Sequence, residues 1–202
     1  NALGWRREDA AAHDRLQARL IFGARLDRPG ERFTEYQTAR LLQDDAGWTT
    51  HGKPEGREPS PSYKTDHQGV KSLTLQRYRD HLADAAVLIA LRLEPAGESP
   101  SLDDVAAALQ RPFRPLFLGR KPCLPASPLF AGWCEAPDVL DALREAAPLA
   151  ESTRRRVSWP EGEGELTGSR RMDLCDERNW TSGVHGGWRP VREGSLGGEG
   201  GL

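Results

Sequence analysis

AAVLIALRLEPAGESPSLDDVAAALQ, Ala85–Gln110, is the stretch on which the fold turns. Ala85 to Leu93 is an apolar run of Val, Ile, Leu and Ala about one strand long; it predicts a central strand. Ser101 is a good helix N-cap, because its hydroxyl accepts from free N–H groups of the first turn. Asp103 and Asp104 favour the positive end of the helix dipole. A helix over Leu102–Gln110 follows, so strand and helix alternate.

Upstream, Leu20–Leu26 reads as a strand, Asp27-Arg28-Pro29-Gly30 as a turn, and Arg32–Leu41 as the hairpin partner of the first strand. Before them, Asn1–Trp5 reads as the tail of a helix and the alanine-rich Glu8–Gln17 as a second helix. Gln43–His67 is rich in Gly, Pro and Ser and is expected to be a flexible excursion, ordering only between partner molecules. Val70–His81 returns to order. Downstream, Leu129–Cys134 is a candidate strand, Asp138–Ala147 an amphipathic helix ended by Pro148, and Arg156–Trp159 and Trp188–Arg192 short strands. Gly197–Gly201 is expected to be disordered. The chain shows no internal repeat.

The 202 residues carry 37% hydrophobic and 29% charged side chains with a net charge of −2. That length holds one ordinary domain with appendages. The net charge argues against a free-standing, nonspecific nucleic-acid binder, but not against a local basic groove. The acidic excess lies in Glu94–Asp104 and after Glu135. Cys123, Cys134 and Cys175 are odd in number and form no C-x-x-C pair, so neither a disulfide framework nor a zinc site is expected. No run has the length of a membrane span and no signal peptide is visible; the expected location is cytoplasmic, with no membrane partner.

RPFRPLFLGRKPCLPASPLFAG, Arg111–Gly132, holds Arg111, Arg114, Arg120 and Lys121 and no acid. Its five prolines exclude a helix and favour extended backbone. Gly119 permits a sharp turn or a close backbone approach. Two readings stand: a stiff loop presenting cations to a phosphate chain, or a proline-rich connection whose arginines are solvated.

Within that loop, LFLGRKPC followed by PLFAG resembles the LGR-x-x-C…PLF-x-G signature of Cas family five, as found in type I-E CRISPR Cascade complexes and classed in the RAMP superfamily. GVKSLTLQRYRDHLADAAVLIALRL, Gly69–Leu93, is similar to that family's G-x-K-S…Q-x-R-x-Y-L-x-D-A segment, with His81 where tyrosine is usual. FTEYQTARL, Phe33–Leu41, is similar to its D-Y-Q-T-V strand. The blocks keep the family's order over about residues 1–147. Family members begin with a strand, a glycine turn and a helix, and the only methionine here is Met172, so an N-terminal piece is expected to be missing.

The resemblance implies an α+β, ferredoxin-like (RAMP/RRM-like) domain over 1–147, its N-terminal strand missing, with an extended thumb at 43–82. A small β-rich C-terminal extension over 148–202, its tail from 197 disordered, completes the expectation. The implied role is to bind the 5′ handle of CRISPR RNA, to cap the backbone filament and to help seat the large subunit, in antiviral defence. The implied partners are that guide RNA, the backbone subunit CasC, the large subunit CasA and, through the complex, target DNA.

Lys71, Ser72, Gln76, Arg77, Tyr78 and Arg79 form a polar set suited to single-stranded RNA: cations for phosphates, Ser and Gln for hydroxyls or base edges, an aromatic for stacking. The same segment reads otherwise as an exposed amphipathic strand. The resemblance favours RNA contact, makes Arg79 the thumb arginine, and adds Tyr36, Gln37 and Thr38 together with Gly119, Arg120 and Lys121. Trp48, in the excursion, is a candidate subunit-interface anchor or a local packing residue.

Metal-independent RNA cleavage needs a base near a ribose hydroxyl and an acid near the leaving oxygen. Among His13, His51, His67, His81 and His185, His67 lies near Lys71, which makes at most a weak analogue of such a pair. No phosphate-binding glycine loop or metal-ligand spacing appears. No catalytic residue, metal or cofactor is expected. A guide-processing endoribonuclease and a protein-binding scaffold without RNA contact are the competing functions.

Overall fold

The computed structural model describes residues 2–42, 64–65, 69, 71–152 and 154–197. Among the described residues one helix, five strands and two further helices precede a C-terminal set of three strands. The elements are α1 (Ala10–Arg19), β1 (Leu20–Arg28), β2 (Glu31–Leu42), β3 (Lys64–Thr65), β4 (Lys71–Ala83), β5 (Ala86–Leu93), α2 (Leu102–Gln110), α3 (Val139–Glu145), β6 (Arg155–Pro160), β7 (Arg170–Arg178) and β8 (His185–Leu196). The chain forms two compact units, Asn1–Pro29 with Ala85–Leu202, and Gly30–Asp84.

The larger unit is a five-stranded sheet in the order β5-β1-β6-β8-β7, antiparallel throughout. α3 lies on one face, where Val139, Leu140 and Leu143 pack with Leu88, Val157, Trp159 and Leu196. Full burial of side chains of this kind is worth about 1.5–3 kcal/mol each. Close approach of α3 requires Gly23, since a Cβ there would lie 2.8 Å from a methyl of Val139 and 2.9 Å from the Ser158 carbonyl oxygen. Trp159 donates its indole N–H to the Gly164 carbonyl at 3.1 Å, so its polar atom is satisfied inside the core.

The same face holds a buried ion pair. Arg25 and Asp27 are 1% and 2% exposed, joined by bonds of 2.6 and 2.9 Å. The guanidinium also donates to the carbonyls of Leu143, Ala146 and Ala147. The carboxylate accepts the Leu149 N–H at 2.7 Å. The orphan carbonyls at the end of α3 thus find their donor on β1, and the charges compensate each other. Asp27 and Arg28 therefore belong to β1, not to the turn expected over residues 27–30; only Pro29-Gly30 connects β1 to β2.

The expected β1–β2 hairpin does not form. Leu20–Leu26 pairs with Leu93–Val87 on one side and, through Ala24–Leu26, with Ser158–Arg156 on the other. β2 pairs instead with β4 in the smaller unit, whose sheet order is β2-β4-β3. Burial explains the difference: the apolar β1 needs the apolar β5 beside it, whereas β2 and β4 are both polar.

α2 carries the expected cap, with Ser101 accepting from the Asp104 N–H and Asp104 accepting from the Ser101 N–H. α1 starts at Ala10, after Asp9 accepts the Arg6 N–H at 2.7 Å, and residues 2–6 are not helical. Leu129–Cys134 is not a strand; Pro128 ahead of it and Gly132 at φ +141° interrupt extended pairing. β7 was not expected, because its apolar Met172 and Leu174 alternate with charge along an edge paired only to β8. β6 and β8 contain the two short strands expected in the C-terminal segment. All three C-terminal strands lie in the same sheet as β1 and β5, so the larger unit runs across the boundary expected at 147/148.

Candidate nucleic-acid interface

The β2–β4 ribbon of the smaller unit brings together residues far apart in sequence. In its register Tyr36 faces Tyr78, Gln37 faces Arg77, Thr38 faces Gln76, and Glu35 faces Arg79. Ser72 pairs with Leu42 and with Lys64 of β3, and Lys71 with Thr65. Two segments expected to touch RNA are therefore directly opposite one another.

Tyr36 and Tyr78 are 50% and 71% exposed, with ring centroids 5.2 Å apart at 45°. A cross-strand aromatic pair stabilises the ribbon, and its outer faces stay open for stacking. Phe33 and His81 stack at 5.2 Å and 20°, and His81 Nε2 lies 3.2 Å from a Glu35 carboxylate oxygen. At the base of the ribbon Arg32 binds Asp80, and the Thr34 hydroxyl donates to the same carboxylate at 2.7 Å. The Arg32 hydrogen bond first, then that of Thr34, hold the Asp80 carboxyl below the usual carboxylate range; Asp80 in turn raises Arg32. Arg79 is exposed.

In the larger unit the segment Leu118–Cys123 closes into a small loop. The Leu118 N–H donates to the Cys123 carbonyl at 2.9 Å, and the Cys123 N–H to the Arg120 carbonyl at 2.8 Å. Gly119 sits at φ +82° with open space where a Cβ would be. Its glycine is required by the backbone angle rather than by crowding. Lys121 is exposed and Arg120 half-buried. The wider Arg111–Gly132 segment exposes Phe113, Leu118 and Leu124, with Trp133 exposed just after it, and Arg114 lies over the Phe113 ring at 5.3 Å. These apolar groups, and the Phe33–His81 pair, were not in the expected site; the alternation of the strands and the proline spacing left them indistinguishable from packing residues.

Trp48, His51 and His67 lie outside the described residues, as does the 43–67 excursion except for Lys64-Thr65. Among the described residues no three His, Cys, Asp or Glu side chains group as metal ligands, and no helix is long and apolar enough to cross a membrane.

Residues 1–192 match the family model described as CRISPR-associated protein (Cas_Cas5). The chain is 28% identical over 148 residues to the CRISPR system Cascade subunit CasD of Escherichia coli (strain K12), an alignment covering 73% of this chain and 60% of that protein. The chain thus spans less than two thirds of the curated relative it matches. A solved chain of a CRISPR RNA-guided surveillance complex is similar in fold, with a TM-score of 0.57 at 24% identity, covering 88% of this chain and 67% of that one.

Proposed function

The chain belongs to the CRISPR-associated Cas5 family, and from that premise we propose that it is a non-catalytic subunit of a Cascade complex that grips the 5′ handle of the guide RNA. In this reading the handle runs along the β2–β4 ribbon. Arg79, with Lys71 and Arg77, neutralises phosphates; Tyr36 and Tyr78 stack bases; Thr38, Ser72 and Gln76 meet sugar hydroxyls or base edges; Gln37 supports Arg77. Arg120 and Lys121 add cations from the second loop, with Gly119 letting the backbone come close. Trp48 anchors the ribbon on a neighbouring subunit. The single observation that carries the reading is the register that sets Tyr36-Gln37-Thr38 against Tyr78-Arg77-Gln76.

The finer assignments belong to the same proposal. Residues 1–147 make a ferredoxin-like RAMP domain with the 43–82 segment as its thumb, residues 148–202 add strands to its sheet, and CasC and CasA are its protein neighbours. Target DNA is met through the assembled complex, in the cytoplasm.

Binding of handle RNA, measured by anisotropy over a salt series, tests the reading. Handle RNA is expected to bind more tightly than a scrambled sequence of equal length, with log K falling as log salt rises. Equal affinity for both sequences would exclude handle recognition. Cleavage of repeat RNA without divalent metal would identify the chain as a processing endoribonuclease instead.

A further inference from the structure

The larger unit has a second concentration of positive charge, unrelated to the ribbon and the Leu118–Cys123 loop. An open cleft of about 1070 Å³ lies where β6 begins and β8 ends. Four arginines line it: Arg144 from α3, Arg154 and Arg156 at β6, and Arg170 at β7. Two acids, Glu165 and Glu193, line it as well, against the four arginines. Glu193 lies 3.6 Å from Arg156 and 2.5 Å from Arg170, so one carboxylate serves two guanidinium groups. Arg144 is tied to Asp141 on its own helix. Arg154 donates Nε to the Ser195 hydroxyl at 3.1 Å and makes no ion pair among the described residues. Arg156 and Arg170 are 66% and 73% exposed at their side chains.

We propose that this cleft is a second binding site for a phosphodiester backbone. Arg154 donates to the Ser195 hydroxyl and Arg156 is the cross-strand partner of Ser195, so both arginines meet at one position of β8, an arrangement that suits neighbouring phosphates of one extended single strand. Guanidinium forks match phosphate oxygens bidentately, and Arg154 and Arg156 have free N–H edges for that purpose. The floor includes Gly168, where a Cβ would meet nothing within 4 Å, and Gly197, so a chain can approach the backbone. In a molecule of net charge −2 this cationic cleft is a local exception. It needs no handle sequence, and it stands or falls independently of handle recognition by the ribbon.

The test uses the full chain with oligouridylate and oligothymidylate of about twenty nucleotides, neither containing a handle. Relative to the parent, R154A/R156A should bind about tenfold more weakly and flatten the salt slope by about 1.4, at about 0.7 per lost single-strand phosphate contact. R154K/R156K, which keeps the charge, should retain most of the slope and guards against loss of fold; melting temperatures of both variants accompany the titration. Loss on the RNA probe alone assigns the cleft to RNA, loss on the DNA probe alone assigns it to single-stranded DNA, and loss on both assigns it to the shared backbone. An unchanged slope on both probes overturns the proposal. So does unaltered nucleic-acid binding combined with lost assembly into a protein complex, which would make the cleft a protein surface. Handle RNA titrated against R79A in parallel separates this site from the ribbon.

Discussion

Asp27 carries two opposed influences. Burial alone raises its pKa, but the Arg25 hydrogen bonds, the Leu149 N–H and the Arg25 and Arg155 charges outweigh burial and hold it below the usual value. A carboxyl whose folded pKa is depressed contributes stability above its unfolded pKa of about 3.9, and that contribution is lost as pH falls through the folded value. The unfolding free energy of the parent should therefore fall as pH drops below about 4, and Asp27→Asn should show a flatter response there. Asp27→Ala leaves Arg25 buried without its counter-charge and should cost about 3–5 kcal/mol by denaturant titration. A loss under about 1 kcal/mol would mean that the pair adds little to the packing of α3. Arg79 belongs to the other unit, and its test is binding rather than stability. Arg79→Ala should weaken handle RNA by about 1–3 kcal/mol with an unchanged melting temperature; unaltered affinity and assembly would remove it from the site.

At the scale of elements, α2 and the basic loop behave differently. Ser101→Ala removes a reciprocal cap and should lower stability by about 1 kcal/mol, measured by thermal or denaturant unfolding. In the loop two variants separate structure from charge. Gly119→Val meets no neighbouring atom, so its penalty is the left-handed backbone, about 1–2 kcal/mol, and appears as a lower melting temperature. Arg120→Ala with Lys121→Ala should leave that temperature in place, lower RNA affinity and flatten the salt slope, with little change in base preference. A parental slope in the double variant would leave the loop as structure only.

The whole molecule consists of two units joined at Pro29-Gly30 and Asp84-Ala85. β1 and β5 pair down to Arg28 and Ala86, so the larger unit closes on itself without the smaller one. Replacing Gly30–Asp84 by a two-residue Asn-Gly turn should leave a protein that melts cooperatively and fails to recognise handle RNA. Cooperative melting is read by near-ultraviolet circular dichroism and recognition by anisotropy. Retained handle preference would move the site to the larger unit.

Local signals were legible without coordinates. The Ser101 cap, the β5 run and the backbone angle at Gly119 depend on a few neighbouring residues, and the three family-like blocks stand as contiguous strings. The pairing of β1 was not legible, because a strand's partner is chosen by burial across a separation of more than sixty residues, and β2 was nearer in sequence. Asp27 read as a turn residue and Arg25 as one position of a strand; only α3, whose last carbonyls and following N–H needed partners, made them core. The charged edge strand β7 had no apolar pattern strong enough to announce it. The order of elements by itself pointed to the α+β class, and the resemblance of three contiguous blocks to a known family carried the family. Tertiary structure decided the strand pairing, the two-unit division, the buried charge pair, and the register that sets Tyr36 against Tyr78. Those features depend on which distant surfaces exclude water from one another, and nothing in a local stretch of sequence specifies that.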